Sequence, residues 1–175
     1  MIQLYIMIKK VYLFFSLVLL ASCNNITNTN SLVLSIDAVI QKSDSINLYY
    51  TINNTINFND KQSFWTKVIG NNKNQNINII FPDSIKPKQI RLDFGLNKKQ
   101  PEIVLNKFTF SYKNKELSLK GKEIFNTFRE DQNTTSLNKL EGSFKRKFFN
   151  QTTGPSLYPK GDKLYIILNK LYSEK

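Results

Sequence analysis

The chain predicts an all-β domain: an antiparallel β-sandwich, jelly-roll-like, of about eight strands, with one short helical segment near 122–129. Three observations carry this reading. Apolar and polar residues alternate in short runs, the period of a half-buried strand. The runs are broken by Asn, Asp, Pro and Gly, whose backbone preferences suit turns. Over the first two thirds of the chain no helical period separates them, which argues against a parallel sheet with crossover helices.

Leu32, Leu34, Ile36, Ala38 and Ile40 mark one face of a first strand, and Ile46, Leu48, Tyr50 and Ile52 one face of a second. Phe64 to Ile69 is a third run, Ile77, Ile79 and Phe81 a fourth, and Ile90, Leu92 and Phe94 a fifth. The sixth begins at Ile103-Val104-Leu105 and continues through Phe108, Phe110 and Tyr112. Its inward parity changes from odd to even, so a β-bulge is expected near Asn106-Lys107. Leu117 and Leu119 mark a seventh. In Gly121 to Phe128 the period changes, with Ile124, Phe125 and Phe128 on one helical face. Asp131 to Asn138 reads as a polar loop, and Leu140 to Phe149 is ambiguous between strand and helix. After the turn signals Gly154-Pro155 and Pro159 to Asp162, the alternation of Leu164, Ile166 and Leu168 predicts a last strand.

A resemblance sits on several of these runs. Tyr49-Tyr50, Phe64-Trp65, Val68-Ile69-Gly70, Ile79-Ile80-Phe81-Pro82 and Ile90-Arg91-Leu92-Asp93-Phe94-Gly95, followed by Ile103, are similar in order and spacing to the galactose-binding-like jelly-roll modules attached to some bacterial membrane glycosyltransferases. Those modules carry a comparable Arg-Leu/Ile-Asp-x-Gly segment. The resemblance covers roughly residues 33 to 120 and implies the fold more directly than the function.

Ahead of the domain, Lys9-Lys10, the apolar run Val11 to Leu20 and the small residues Ala21-Ser22 form the three parts of a secretory signal. The run is too short for a bilayer span, which takes about twenty residues. Met7 or Met1 serves as its start. Leu20-Ala21-Ser22-Cys23 resembles the lipobox of bacterial lipoprotein precursors. The resemblance implies cleavage between Ser22 and Cys23, a diacylglyceryl thioether on Cys23 Sγ and an N-acyl chain on the new amino group. Two or three such chains hold a protein stably where one is marginal. The expected organisation is a signal peptide at 1–22, a lipid-anchored polar tether at 23–31 and a single domain at 32–175. Asn24 after the cysteine points to the outer membrane, and the lack of an acidic tract over residues 24–30 to its periplasmic face.

Removing Lys9 and Lys10 from 25 basic side chains leaves 23 against 13 acidic ones, a net of +10 on the chain beyond the leader. The excess lies after residue 85, with 19 basic and nine acidic groups. Export removes nucleic acid as the polyanion such a charge would meet, and leaves acidic glycans and anionic lipid. The sequence has no histidine, and its single cysteine is assigned to lipid. His-dependent triads, Cys nucleophiles and ordinary zinc sites are therefore not expected, nor any cofactor beyond the acyl chains, and no carboxylate pair points to an enzyme.

The candidate binding residues are Tyr49, Trp65, Arg91 and Asp93. Arg91 and Asp93 lie two apart on one strand and share a face opposite Leu92 and Phe94; Tyr49 faces away from Leu48 and Tyr50; Trp65 is the only tryptophan. Lys145-Arg146-Lys147, set among Phe144, Phe148 and Phe149, is a candidate contact with an anionic surface. Two readings are open: a non-enzymatic module binding an envelope glycan or protein partner, and a structural or assembly lipoprotein touching a membrane protein or the anionic membrane through its basic C-terminal half.

Overall fold

The computed structural model describes residues 30–173, so the leader, Ser22 and Cys23 lie outside the described residues. Eleven strands form two antiparallel sheets. In chain order they are β1 (Val33–Ile40), β2 (Asp44–Thr51), β3 (Ser63–Val68), β4 (Asn71–Ile80), β5 (Gln89–Phe94), β6 (Ile103–Tyr112), β7 (Lys115–Lys120), β8 (Phe128–Glu130), β9 (Thr135–Asn138), β10 (Ser143–Arg146) and β11 (Ser156–Pro159). Helix α1 (Lys122–Thr127) lies between β7 and β8, and α2 (Lys163–Tyr172) follows β11.

The six-stranded sheet runs β4-β1-β6-β10-β9, with β7 on β6 as well; the five-stranded sheet runs β3-β2-β5-β11-β8. Alternation explains both. Leu34, Ile36, Ala38 and Ile40 are buried on β1 while the residues between them are half exposed, as a strand with one face on the core requires. The sheets meet through aromatic side chains in edge-to-face contact: Phe94 with Phe144 at 4.8 Å, Phe108 with Phe128 at 5.5 Å, and Phe64 with Phe81 at 5.5 Å. The first two pairs join one sheet to the other, and the third joins β3 to the residue that follows β4.

The parity change in β6 is a bulge. Asp37 pairs with Lys107 and Ala38 with Leu105, which leaves Asn106 as the extra residue. The Asp37–Lys107 ion pair at 3.2 Å flanks it. Hydrogen bonding to Asn76, and after it to Lys107, holds the Asp37 carboxyl below its usual range.

The expected last strand is a helix. Leu164, Leu168 and Leu171 of α2 are buried, while Ile166, which a strand would have turned inward, is 61% exposed. The run satisfies both periods until Leu171 extends the helical one. Helix α2 packs on β5, β6 and β7, strands of both sheets, and so closes one end of the sandwich. The stretch read as a polar loop contains β9, and β8 and β11 had no counterpart in the expected strands; all three are short. The ambiguous stretch resolves into the four residues of β10.

Candidate binding face

The outward face of the five-stranded sheet is fixed by register. On β2, Asn47 and Tyr49 point away from the core row of Ile46 and Leu48. Asn47 pairs with Trp65 on one side and Asp93 on the other, and Tyr49 pairs with Ser63 and Arg91. Directly opposed residues share a face, so Tyr49, Trp65, Arg91 and Asp93 come together on adjacent strands. Beyond Asp93 lies Ser156 of β11, and Tyr158 of the same strand pairs with Arg129 of β8.

Across this face runs an alternation of rings and cations. The Arg91 guanidinium carbon lies 4.7 Å from the centre of the Tyr49 ring and 4.5 Å from that of Tyr158, and the Arg129 carbon lies 5.0 Å from the Tyr158 ring. Arg91 also donates in bidentate fashion to Asp93, Nε to Oδ1 at 2.7 Å and Nη2 to Oδ2 at 2.6 Å. Burial opposes the Arg91 cation, but the Asp93 carboxylate outweighs it, and the guanidinium pKa is raised. Tyr49 donates to Asp60 Oδ1 at 3.2 Å, and Phe58 meets Tyr158 edge-on at 6.0 Å. Burial, and for Tyr49 then the bond to Asp60, raises both phenol pKa values, so the hydroxyls stay protonated.

Trp65 is 52% exposed at the edge of this array, a ring open to stacking, across β2 from the charged pair. Asn47, between Trp65 and Asp93 in the register, is only 4% exposed, and its Oδ1 has no donor among the described residues. Buried acceptors usually find a donor, so this one marks a point where the face is not self-satisfied. Among the described residues no three carboxylates converge as a cation site would require.

Lys145, Arg146 and Lys147 do not form one basic face. Arg146 donates to the carbonyls of Gln151 at 3.2 Å, Gly95 at 3.3 Å and Thr153, and burial lowers its pKa. It clamps the loop after β10. Lys147 donates to the Gln132 carbonyl at 2.6 Å, and Lys145 is exposed.

Sequence reasoning missed Tyr158, Arg129, Asn47, Phe58 and Asp60. The parity of Asn47 with Tyr49 was available as a signal. Nothing in the sequence placed β11 beside β5, and without that pairing Tyr158 has no link to Arg91. No protein-family model, no characterised protein and no solved structure matches this chain.

Proposed function

We propose that the chain is a lipid-anchored, non-enzymatic protein of the cell envelope whose β-sandwich binds a glycan through the outward face of its five-stranded sheet. The leader and the Leu20 to Cys23 lipobox support the anchor, and the outer membrane facing the periplasm is its proposed place. The observation that carries the binding reading is the half-exposed Trp65 on the same sheet face as the Arg91–Asp93 pair, one strand away, the pair itself flanked by Tyr49 and Tyr158. A sugar ring stacks its C–H face on an indole while its hydroxyls exchange hydrogen bonds with carboxylate and guanidinium, and here the two partners flank β2, on β3 and β5 of one sheet.

The solubilised full chain should bind a subset of bacterial envelope glycans on an array. Trp65→Ala should weaken that binding about tenfold, the worth of one aromatic contact of about 1.4 kcal/mol, with the fold intact because the ring is at the surface.

A second reading is favoured by a different surface. Phe148 is 60% and Phe149 89% exposed, consecutive in the chain just after β10 and Lys147. Such a patch suits a membrane-protein partner, the role of an assembly lipoprotein with no sugar site. Co-purification of a membrane protein, lost with Phe149→Asp, alongside a blank glycan array would establish it over the glycan reading.

A further inference from the structure

We propose that the pole of the sandwich from which the described chain starts is a docking face for anionic phospholipid headgroups. Its cations are Lys86, Lys113, Lys115 and Lys170, with Ile166 as an apolar contact. The inference rests on the lipid-anchor reading for its orientation, and on the structure for its chemistry.

The start of the described segment is pinned. Ser31 hydrogen-bonds Asp83 through its hydroxyl, and the Phe81 amide donates to the Leu32 carbonyl at 2.9 Å. Three other segments reach the same pole. Val33 opposes Ser111, so the two-residue tip that joins β6 to β7, Lys113-Asn114, lies beside the chain start. The segment between β4 and β5 carries Lys86. The end of α2 packs against both, with Tyr172 donating to the Pro87 carbonyl at 3.3 Å and meeting Tyr112 edge-on at 5.1 Å.

Between them lies a concavity of about 200 Å³, lined among others by Lys86, Tyr112, Lys113, Lys115 and Tyr172. The Lys86 and Lys113 ammonium groups stand over the Tyr112 ring at 5.6 and 5.7 Å, and Lys115 donates to the Ser173 carbonyl. Lys113 has φ +51°, a left-handed conformation that glycine adopts without strain, yet the tip carries a cation there. On α2 the stripe Lys163, Ile166 and Lys170 is exposed, opposite the buried leucines. Among the described residues, two acidic groups accompany these cations: Asp83, hydrogen-bonded to Ser31, and the exposed Glu116.

Length selects the membrane as occupant of this pole and not of the other. Residues 23 to 29 can span at most about 25 Å between the acylated cysteine and the domain. Strand β6 alone, ten residues long, extends about 33 Å toward the β10 end. The chain-start pole therefore lies nearest the bilayer, and surface charge acts only within a screening length of about 8 Å. Lys145 and Lys147 lie beyond the opposite end of β6, where Phe144 pairs with Ile103.

The test is amine acetylation of the full chain on vesicles, read lysine by lysine by mass spectrometry. Phosphatidylcholine vesicles are compared with mixed phosphatidylcholine and phosphatidylglycerol vesicles. Lys86, Lys113 and Lys115 should lose reactivity severalfold on the anionic vesicles, while Lys145 stays unchanged. The triple variant Lys86→Glu, Lys113→Glu, Lys115→Glu should weaken partitioning to anionic vesicles about a hundredfold or more.

Equal reactivity on both vesicles, protection of Lys145 and Lys147 instead, or the same protection by inorganic phosphate without vesicles would each overturn the proposal. The mass of the Cys23 peptide separates it from the anchor reading. An unacylated Cys23 with protected pole lysines removes the anchor and keeps the docking face, whereas an acylated Cys23 with unprotected lysines does the reverse.

Discussion

Arg91 lies between two tyrosine rings and closes a two-point bond to Asp93, so its guanidinium exchanges water for stacking and charge-assisted hydrogen bonds. Lysine offers neither the fork nor the plane, and Arg91→Lys should cost about 1–2 kcal/mol in urea unfolding. The tyrosines add a pH dependence of definite sign. Burial raises the phenol pKa of Tyr49, Tyr158 and Tyr172 above the ordinary value of 10.0. Their contribution to stability is then complete below pH 10 and is lost as pH rises through the folded-state values. Spectrophotometric titration should show three phenols ionising late, and stability should fall above pH 10. Gly95 is a separate constraint, at φ +71°, where an added Cβ would collide with the Asp44 carboxylate that accepts the Leu96 amide at 2.8 Å. Gly95→Ala should therefore destabilise the fold by about 2 kcal/mol or more, measured as a shift in the urea midpoint.

At the scale of elements, α2 shows where the sequence was ambiguous. Leu164, Ile166 and Leu168 alternate as a strand would, and Leu164, Leu168 and Leu171 repeat as a helix would. The open end between the sheets decides it, because a helix there buries three leucines against strands of both. Leu168→Ala should cost about 2–5 kcal/mol in thermal or urea unfolding, and Ile166→Ala close to nothing; a strand would make both costly. The bulge at Asn106 was legible from parity alone, since a face buried on both sides of an extra residue betrays the slip. Strands β8, β9 and β11 were not legible. Three or four residues are too short a window for a period, and their pairing partners lie more than twenty residues away or across a turn.

For the whole molecule, the two-sheet sandwich followed from alternation, and the coincidence of Tyr49, Trp65, Arg91 and Asp93 on one face followed from parity once β2, β3 and β5 proved to be neighbours. The distribution of charge between the poles could not be read in this way, because it depends on which loops the topology gathers. Lys86, Lys113 and Lys115 are far from Ser31 in sequence and lie around the chain start in space, while Lys145-Arg146-Lys147, the denser run in sequence, is split by the demands of its own loop. Under the proposed anchor, the lysine pole faces the bilayer and the outward face of the five-stranded sheet stands free beside it. The only tryptophan of the chain sits on that face, so its emission reports directly on the central proposal. Titrating the full chain with fractionated envelope glycans should shift Trp65 fluorescence to the blue and shield it from acrylamide quenching, with both effects saturating together. Glycan binding detected by calorimetry with no change in that emission, or no fraction that binds at all, would contradict the account.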